Sequence, residues 1–328
     1  MATDLTGLEA FVNIERFTAN LPNVTSIDLS QNLALRVMFI NNAPLITELD
    51  LSNNIGLDTL DLRNLGVENL DLSGLRDLTC LGIIQAPLND LSLQNNILLE
   101  SLSLRELTIS EIDLSALENL TILSLSQVPL IELDLSSNTN LLEIGLYAID
   151  ITELDLSQNI AITCIGFSLL NVETLDFLNL AQLESLDISR SSVKELNLTG
   201  NAALRFIILE ATSISDLDLS MNPSLLSLSL YETTLNDLDF SNNPLLGGFE
   251  LIESSIRSGF LDFSKNEMLE YVLICDSNVE IINSKNGKDF IEFLFCDPDE
   301  FISYICVCLL YTSPSPRDAT LSRMPSSA

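Results

Sequence analysis

The sequence predicts a repeat solenoid, a coil of mostly short parallel β-strands with few or no long helices. Three observations lead there. First, the phrase ITELDLSQNIAI at 151–162 recurs as LIELDLSSNTNL at 130–141 and as ISDLDLSMNPSL at 214–225. Aligned on the first apolar residue of each LDL-like triplet, the copies begin at Ile27, Leu49, Leu70, Leu91, Ile112, Leu133, Leu154, Leu175, Leu196, Leu217, Leu238 and Leu261. The steps are 22, then 21 nine times, then 23, and a fixed period in this range marks a solenoid. Second, apolar and polar residues alternate within each triplet, which is the strand signal. Third, only about five residues separate a triplet from its flanking leucines. That is too short for an ordinary helix of about 10–12 residues.

Taken in order, residues 1–23 read as an N-terminal capping coil. Ile14, Phe17, Ala19 and Val24 lie 21 or 22 residues ahead of Leu35, Met38, Ile40 and Ile46. A degenerate coil therefore precedes the first clear one and covers the open end of the core. Residues 24–282 form the array, and each repeat has two halves. One reads xLDLSxNxxL. The other is looser and carries its triplet 11 residues later, from Met38-Phe39-Ile40 to Val272-Leu273-Ile274. Each coil should then hold two short extended segments on opposite sides of a thin, leucine-filled core. Residues 283–305 read as a C-terminal capping segment. In 306–328, CVCLLYTSPSPRDATLSRMPSSA, periodicity stops and Pro, Ser and Arg take over. The composition is that of a disordered tail. It resembles translated adapter or vector sequence, with the natural chain continuing beyond about residue 305.

The chain has 328 residues, 47% of them apolar, enough for a continuous core. Fourteen basic residues face 47 acidic ones, a net charge of −33. This excludes nucleic acid, whose phosphates need Lys and Arg to displace counterions, and it excludes an anionic membrane surface. Solubility accounts for the acidity in the simplest way. Of six cysteines, Cys80 and Cys164 occupy equivalent slots four repeats apart. At about 4.8 Å per coil they are too distant for a disulfide. Cys275, Cys296, Cys306 and Cys308 cluster late, and spacing leaves their pairing open. Histidine and the CxxC spacing are both missing, so zinc-site patterns are absent. The N-terminus lacks the basic region and apolar run of a signal peptide. No apolar stretch reaches about 18 residues, so membrane insertion is not expected.

The LDLS half builds columns. Asp occupies the triplet centre at Asp28, Asp50, Asp71, Asp113, Asp134, Asp155, Asp176, Asp218, Asp239 and Asp262. Two positions earlier stand acids such as Glu48, Glu132 and Glu153; two positions later comes Ser, as at Ser30, Ser136 and Ser157. Neighbouring carboxylates about 4.8 Å apart repel by roughly 0.9 kcal/mol even in water. Bonds from Asp to nearby backbone N–H groups would offset this, and bound Ca²⁺ would do so more strongly. The Ca²⁺-solenoid nonapeptide is absent. Glu153 and Asp155 have the spacing of paired catalytic carboxylates, but the pair recurs in coil after coil, whereas an active site is singular. Without His there is no Ser-His-Asp or Cys-His machinery, and no Gly-rich phosphate loop is present. The chain reads as a non-enzyme with no cofactor, no catalytic residues and no metal ligands.

Asp155-Leu156-Ser157-Gln158-Asn159, LTGLEAF at Leu5–Phe11 and FLFCDPDEF at Phe293–Phe301 carry a family resemblance. The repeat resembles the leucine-rich repeat, in the 21-residue bacterial form whose two halves both carry LxL. It is similar to internalin-like proteins and to cell-surface proteins of Bacteroidetes-type bacteria. The resemblance covers roughly residues 4–305 and implies a right-handed coil and an extracellular or cell-surface location. One departure stands out. The variable half of the family usually carries Asn at its ninth position. Here that slot holds Ala43, Leu65, Ala86, Leu107, Val128, Ile149, Leu170, Ser191, Thr212, Thr233, Ser254 and Ser277. The Asn column persists instead in the LDLS half, at Asn32, Asn54, Asn96, Asn138, Asn159, Asn201, Asn222, Asn243 and Asn266, with Leu75, Leu117 and Leu180 replacing it in three coils.

The variable half is expected to form the concave sheet and to do the binding. Its outward positions include Phe39, Arg63, Arg105, Tyr147, Phe206, Tyr231 and Tyr271. Tyr and Arg on an otherwise variable surface are what interfaces use as anchors. The expected function is recognition of a protein or glycan by a monomer. The alternative is a structural spacer or adhesin stalk, stabilised by Ca²⁺ along its acidic stripe.

Overall fold

The computed structural model describes residues 5–288, 291–295 and 304–307. Fourteen strands form one parallel sheet in strict chain order. They are β1 (Arg16–Asn20), β2 (Val37–Ala43), β3 (Thr59–Leu65), β4 (Cys80–Ala86), β5 (Ser101–Leu107), β6 (Ile122–Ser126) and β7 (Glu143–Tyr147). There follow β8 (Cys164–Ser168), β9 (Ser185–Ser189), β10 (Phe206–Glu210), β11 (Ser227–Tyr231), β12 (Gly248–Ile252), β13 (Tyr271–Cys275) and β14 (Glu292–Phe295). All belong to the variable half or to its degenerate counterparts at the two ends. Strand pairing follows the repeat: Cys80 opposes Ser101, and Ser101 opposes Ile122. The longer steps reappear as Val37 opposite Thr59 and Gly248 opposite Tyr271. The degenerate first coil pairs as its spacing predicts, Phe17 opposite Met38 and Ala19 opposite Ile40.

Alternation puts the apolar residues of each strand inward. In β5, Leu102 and Leu104 are fully buried while Arg105 is exposed. Leucines of the LDLS half meet them from the other side, making one core cluster from Leu21 to Ile282. Near the C-terminal end phenylalanine replaces leucine. Phe240 stacks on Phe263 with ring centroids 5.2 Å apart, and Phe249 packs edge-on against Phe240 at 5.4 Å.

The LDLS half is extended, as expected, but pairs less than the sheet does. Among the described residues, strand pairing there is confined to short segments: Thr174–Asp176 with Glu195–Asn197, Phe260–Asp262 with Ile281–Ser284 and that in turn with Tyr304–Val307, and Thr234–Leu235 with Ser255–Ile256. Elsewhere the half is extended chain followed by two successive turns, such as Asn54 N–H to Leu51 C=O and Leu57 N–H to Asn54 C=O. The Asp side chain accepts the backbone N–H two residues on, as Asp155 Oδ1 does from Ser157 at 2.8 Å. This Asx turn ends the extended segment after about three residues, at the lower limit of strand length. The segment Tyr304–Val307 carries strand pairing two residues into the stretch read as tail; residues 308–328 lie outside the described residues, as does most of FLFCDPDEF.

The Asn column is buried and works between coils. Asn54 Nδ2 donates to the carbonyls of Leu29 at 3.1 Å and Asn32 at 3.0 Å, one coil earlier. The pattern repeats at Asn96, Asn138, Asn159, Asn201, Asn222, Asn243 and Asn266. Where Leu75, Leu117 or Leu180 takes the slot it is buried, and packing replaces the two bonds. Among the described residues the only helix is a short 3₁₀ turn at Leu8–Ala10, and no helix is long and apolar enough to cross a membrane.

Candidate interaction face

The outward face of the sheet is a grid. Strand positions one, three and five point out, and two and four point into the core. Directly after position five, twelve successive coils place a non-glycine residue in the left-handed region, from Asn42 (φ 50°) to Asp276 (φ 48°), with Ala148, Leu169 and Glu232 among them. Such a conformation costs about 1–2 kcal/mol for most residues. It persists because the sheet before it and the core after it dictate the path. The following residue, the slot where the family usually carries Asn, is buried in most coils. Where that residue is Ser, its hydroxyl serves the turn: Ser191 Oγ accepts from Leu170 N–H at 3.1 Å and donates to Ser189 C=O at 2.9 Å.

All seven residues expected to bind lie on this one face. Phe39 sits at position three of β2 under the Arg16 guanidinium, 5.7 Å from its ring centre. Arg63 ends the outward row of β3 and forks onto Asp61 at 2.7 and 2.8 Å. Arg105 on β5 pairs with Glu106 at 2.9 Å. Tyr147 on β7 and Phe206 on β10 are 43% and 41% exposed, which leaves their rings available for contact. Arg205 lies over the Phe206 ring at 5.5 Å. Only Tyr231 and Tyr271 are brought together: Tyr231 on β11 and Tyr271 on β13 flank Glu250 on β12. Tyr231 donates a short hydrogen bond to Glu250 Oε2, Ser229 Oγ donates to the same oxygen at 3.0 Å, and Tyr271 donates to Oε1 at 3.4 Å. Burial and the Glu250 carboxylate push the Tyr231 hydroxyl up to about 12. Gly248 makes the arrangement possible, since a Cβ there would sit 2.5 Å from the Tyr271 ring.

Beside this cluster a depression of about 280 Å³ opens in the face. It is lined by Asp187, Ser189, Ile208, Glu210, Tyr231, Glu232, Ile252 and Glu253. Selecting aromatics and arginines alone passes over most of these residues. Stacking the sequence at 21-residue intervals would have found them, because Glu210, Tyr231 and Ile252 share one column and Glu232 and Glu253 the next.

The opposite, LDLS side carries charge but no cage. Among the described residues no three of His, Cys, Asp and Glu gather closely enough to hold a metal. The Asp column is stabilised by its turns instead. Backbone and side-chain bonds from Ser157 hold Asp155 below the usual carboxylate range, and Asp134 one coil away opposes this only weakly. The Ca²⁺-stabilised stripe therefore finds no support in the geometry. Cys80 and Cys164 are free, four strands apart on the outward face, and Cys275 is disulfide-bonded.

No protein-family model matches the chain, and no curated protein does. Solved structures do. The functional domain of InlJ from Listeria monocytogenes, which includes a cysteine ladder, superposes with a TM-score of 0.69 at 24% identity, over 86% of this chain and 66% of that one. The fold is the leucine-rich-repeat solenoid. The internalin InlF of Listeria monocytogenes gives 0.58 at 16% identity, over 86% of this chain and 88% of that one. An octameric complex of Latrophilin 3, Unc5D and the leucine-rich repeats of FLRT2 gives 0.57 at 17%, over 71% and 79%. This leucine-rich-repeat chain spans just under two thirds of the InlJ domain it matches. None of these neighbours indicates an enzyme family.

Proposed function

We propose that this leucine-rich-repeat array is a non-catalytic recognition module that binds a protein ligand outside the cell through the outward face of its fourteen-stranded sheet. One observation carries the reading. The residues that vary from coil to coil, including Phe39, Arg63, Arg105, Tyr147, Phe206, Tyr231 and Tyr271, all lie on that face. The uniform LDLS half is occupied with core, turns and coil-to-coil bonds. A sheet held from behind by a continuous core presents these side chains with little ordering cost on binding. The FLRT2 repeats, of the same fold, are found in a multi-protein complex.

The test is a screen of the chain against arrays of extracellular proteins and of glycans, with every hit repeated on two variants. One carries Arg105→Ala, Tyr147→Ala and Phe206→Ser; the other carries Asp134→Asn and Asp155→Asn on the LDLS side. Protein hits weakened at least tenfold by the first variant and unchanged by the second are expected. Hits confined to glycans would change the ligand class. Hits insensitive to the first variant, or none at all, would favour the spacer.

A further inference from the structure

The depression on β9–β12 combines features that recognise a cation. Four carboxylates line it: Asp187, Glu210, Glu232 and Glu253. Glu210 is paired, with Arg190 at 2.8 Å, and Asp187 accepts a bond from Ser189 at 2.7 Å. Glu232 and Glu253 have no ion-pair partner among the described residues. The remaining lining is Ser189, Ile208, Ile252 and Tyr231. The Tyr231 ring is not free to swing, because its hydroxyl is held by Glu250, which is itself held by Ser229 and Tyr271. A fixed aromatic face beside unpaired carboxylates, with aliphatic walls, suits a long cationic side chain. The stem packs on the isoleucines, the charge meets the glutamates, and a planar guanidinium can lie against the ring. The volume of about 280 Å³ lies just below the range of drug-sized ligand sites. It matches one side chain of a larger partner better than a whole small-molecule ligand.

Resting on the reading of the sheet as the binding face, we propose that this depression is an anchor pocket for a basic side chain, arginine above lysine, presented by the protein partner.

The test uses the whole chain, labelled at isoleucine methyl groups, and NMR titration with three blocked tripeptides: Gly-Arg-Gly, Gly-Lys-Gly and Gly-citrulline-Gly. The arginine peptide is expected to shift the Ile208 and Ile252 methyl signals saturably, with the lysine peptide weaker. The citrulline peptide, of the same shape without charge, should bind at least tenfold more weakly. The double variant Glu232→Gln/Glu253→Gln should weaken the arginine peptide at least fivefold, with the methyl spectrum otherwise unchanged. Equal binding of the citrulline peptide overturns the proposal. So do Ile208 and Ile252 shifts no larger than those of Ile131 and Ile160, which are exposed away from the pocket. Failure here with face-dependent hits retained on the protein arrays removes the pocket and leaves the face standing. Saturable arginine binding with face-independent array hits does the reverse.

Discussion

Asn159 donates from Nδ2 to the carbonyl of Asn138, its counterpart one coil earlier, at 2.9 Å. The same nitrogen donates to Leu135 at 3.0 Å. Both bonds are buried, so water cannot replace them. Each coil is thereby stitched to its predecessor by a side chain as well as by the sheet. The amide oxygen of Asn159 is buried without a partner, as in the other asparagines of the column; the slot has two acceptors to satisfy and no donor to offer.

Asn159→Ala should therefore destabilise the fold by about 2–3 kcal/mol, removing two buried bonds, leaving each carbonyl only its turn N–H, and opening a void. Asn159→Leu should cost less, about 1–2 kcal/mol. It fills the space as Leu75, Leu117 and Leu180 do, and it removes the unpartnered oxygen. Urea denaturation of the two variants gives the comparison, and an equal loss would contradict it.

The Asp column makes a pH prediction whose sign is fixed by its turns. Asp28, Asp50, Asp71, Asp113, Asp134, Asp155 and Asp218 all titrate below the usual value because Ser N–H and hydroxyl groups two residues on favour the charged form. A folded-state value below the unfolded one stabilises the fold above the unfolded value, about 3.9. That stability is lost as pH falls through the depressed folded values. The urea midpoint should accordingly drop below about pH 4, although acidification also relieves a net charge of −33. A midpoint that rises there would show that repulsion outweighs the turn bonds.

Tyr231 gives the opposite limb. Its hydroxyl titrates near 12, above the unfolded value of about 10. The fold should therefore weaken as pH rises above about 10, where the unfolded tyrosine ionises first. Glu250→Gln removes the acceptor charge and should bring the Tyr231 transition down towards 10. Absorbance titration of the phenolate resolves this, since the chain has only five tyrosines and no tryptophan.

Ala148 probes the left-handed column. With φ at 51°, Ala148→Gly should stabilise by about 0.5–1 kcal/mol, relief of backbone strain exceeding the added freedom of the unfolded chain. Ala148→Val should destabilise, because a branched Cβ is least tolerant of this region. Thermal melts would show the two variants moving in opposite directions.

The sheet was legible in the sequence down to its register. The 22- and 23-residue steps read from the triplets are the steps by which Val37 meets Thr59 and Gly248 meets Tyr271. Burial followed from alternation. In the LDLS half the triplet carries the alternation of a strand, but pairing forms only in places, because an Asx turn closes the extended segment after about three residues. The aromatics and arginines of the variable half pointed to the outward face of the sheet, but not to its depression. The depression depends on how Tyr231 and Tyr271 turn towards Glu250 across Gly248, and on carboxylates that do not stand out in a chain of net charge −33.

The one-strand-per-coil sheet also acts as a ruler. Strands lie about 4.8 Å apart and outward positions along each strand about 6.7 Å apart. Tyr147 and Tyr231 hold the same strand position four strands apart, a separation near 19 Å. Each outward residue occupies one square of a lattice whose pitch is set by backbone hydrogen bonds and not by its own chemistry. A substitution rewrites one square without moving its neighbours. Gain or loss of a whole coil slides everything beyond it by one pitch. Specificity on such a surface can change by spelling or by spacing, and the core need not take part in either.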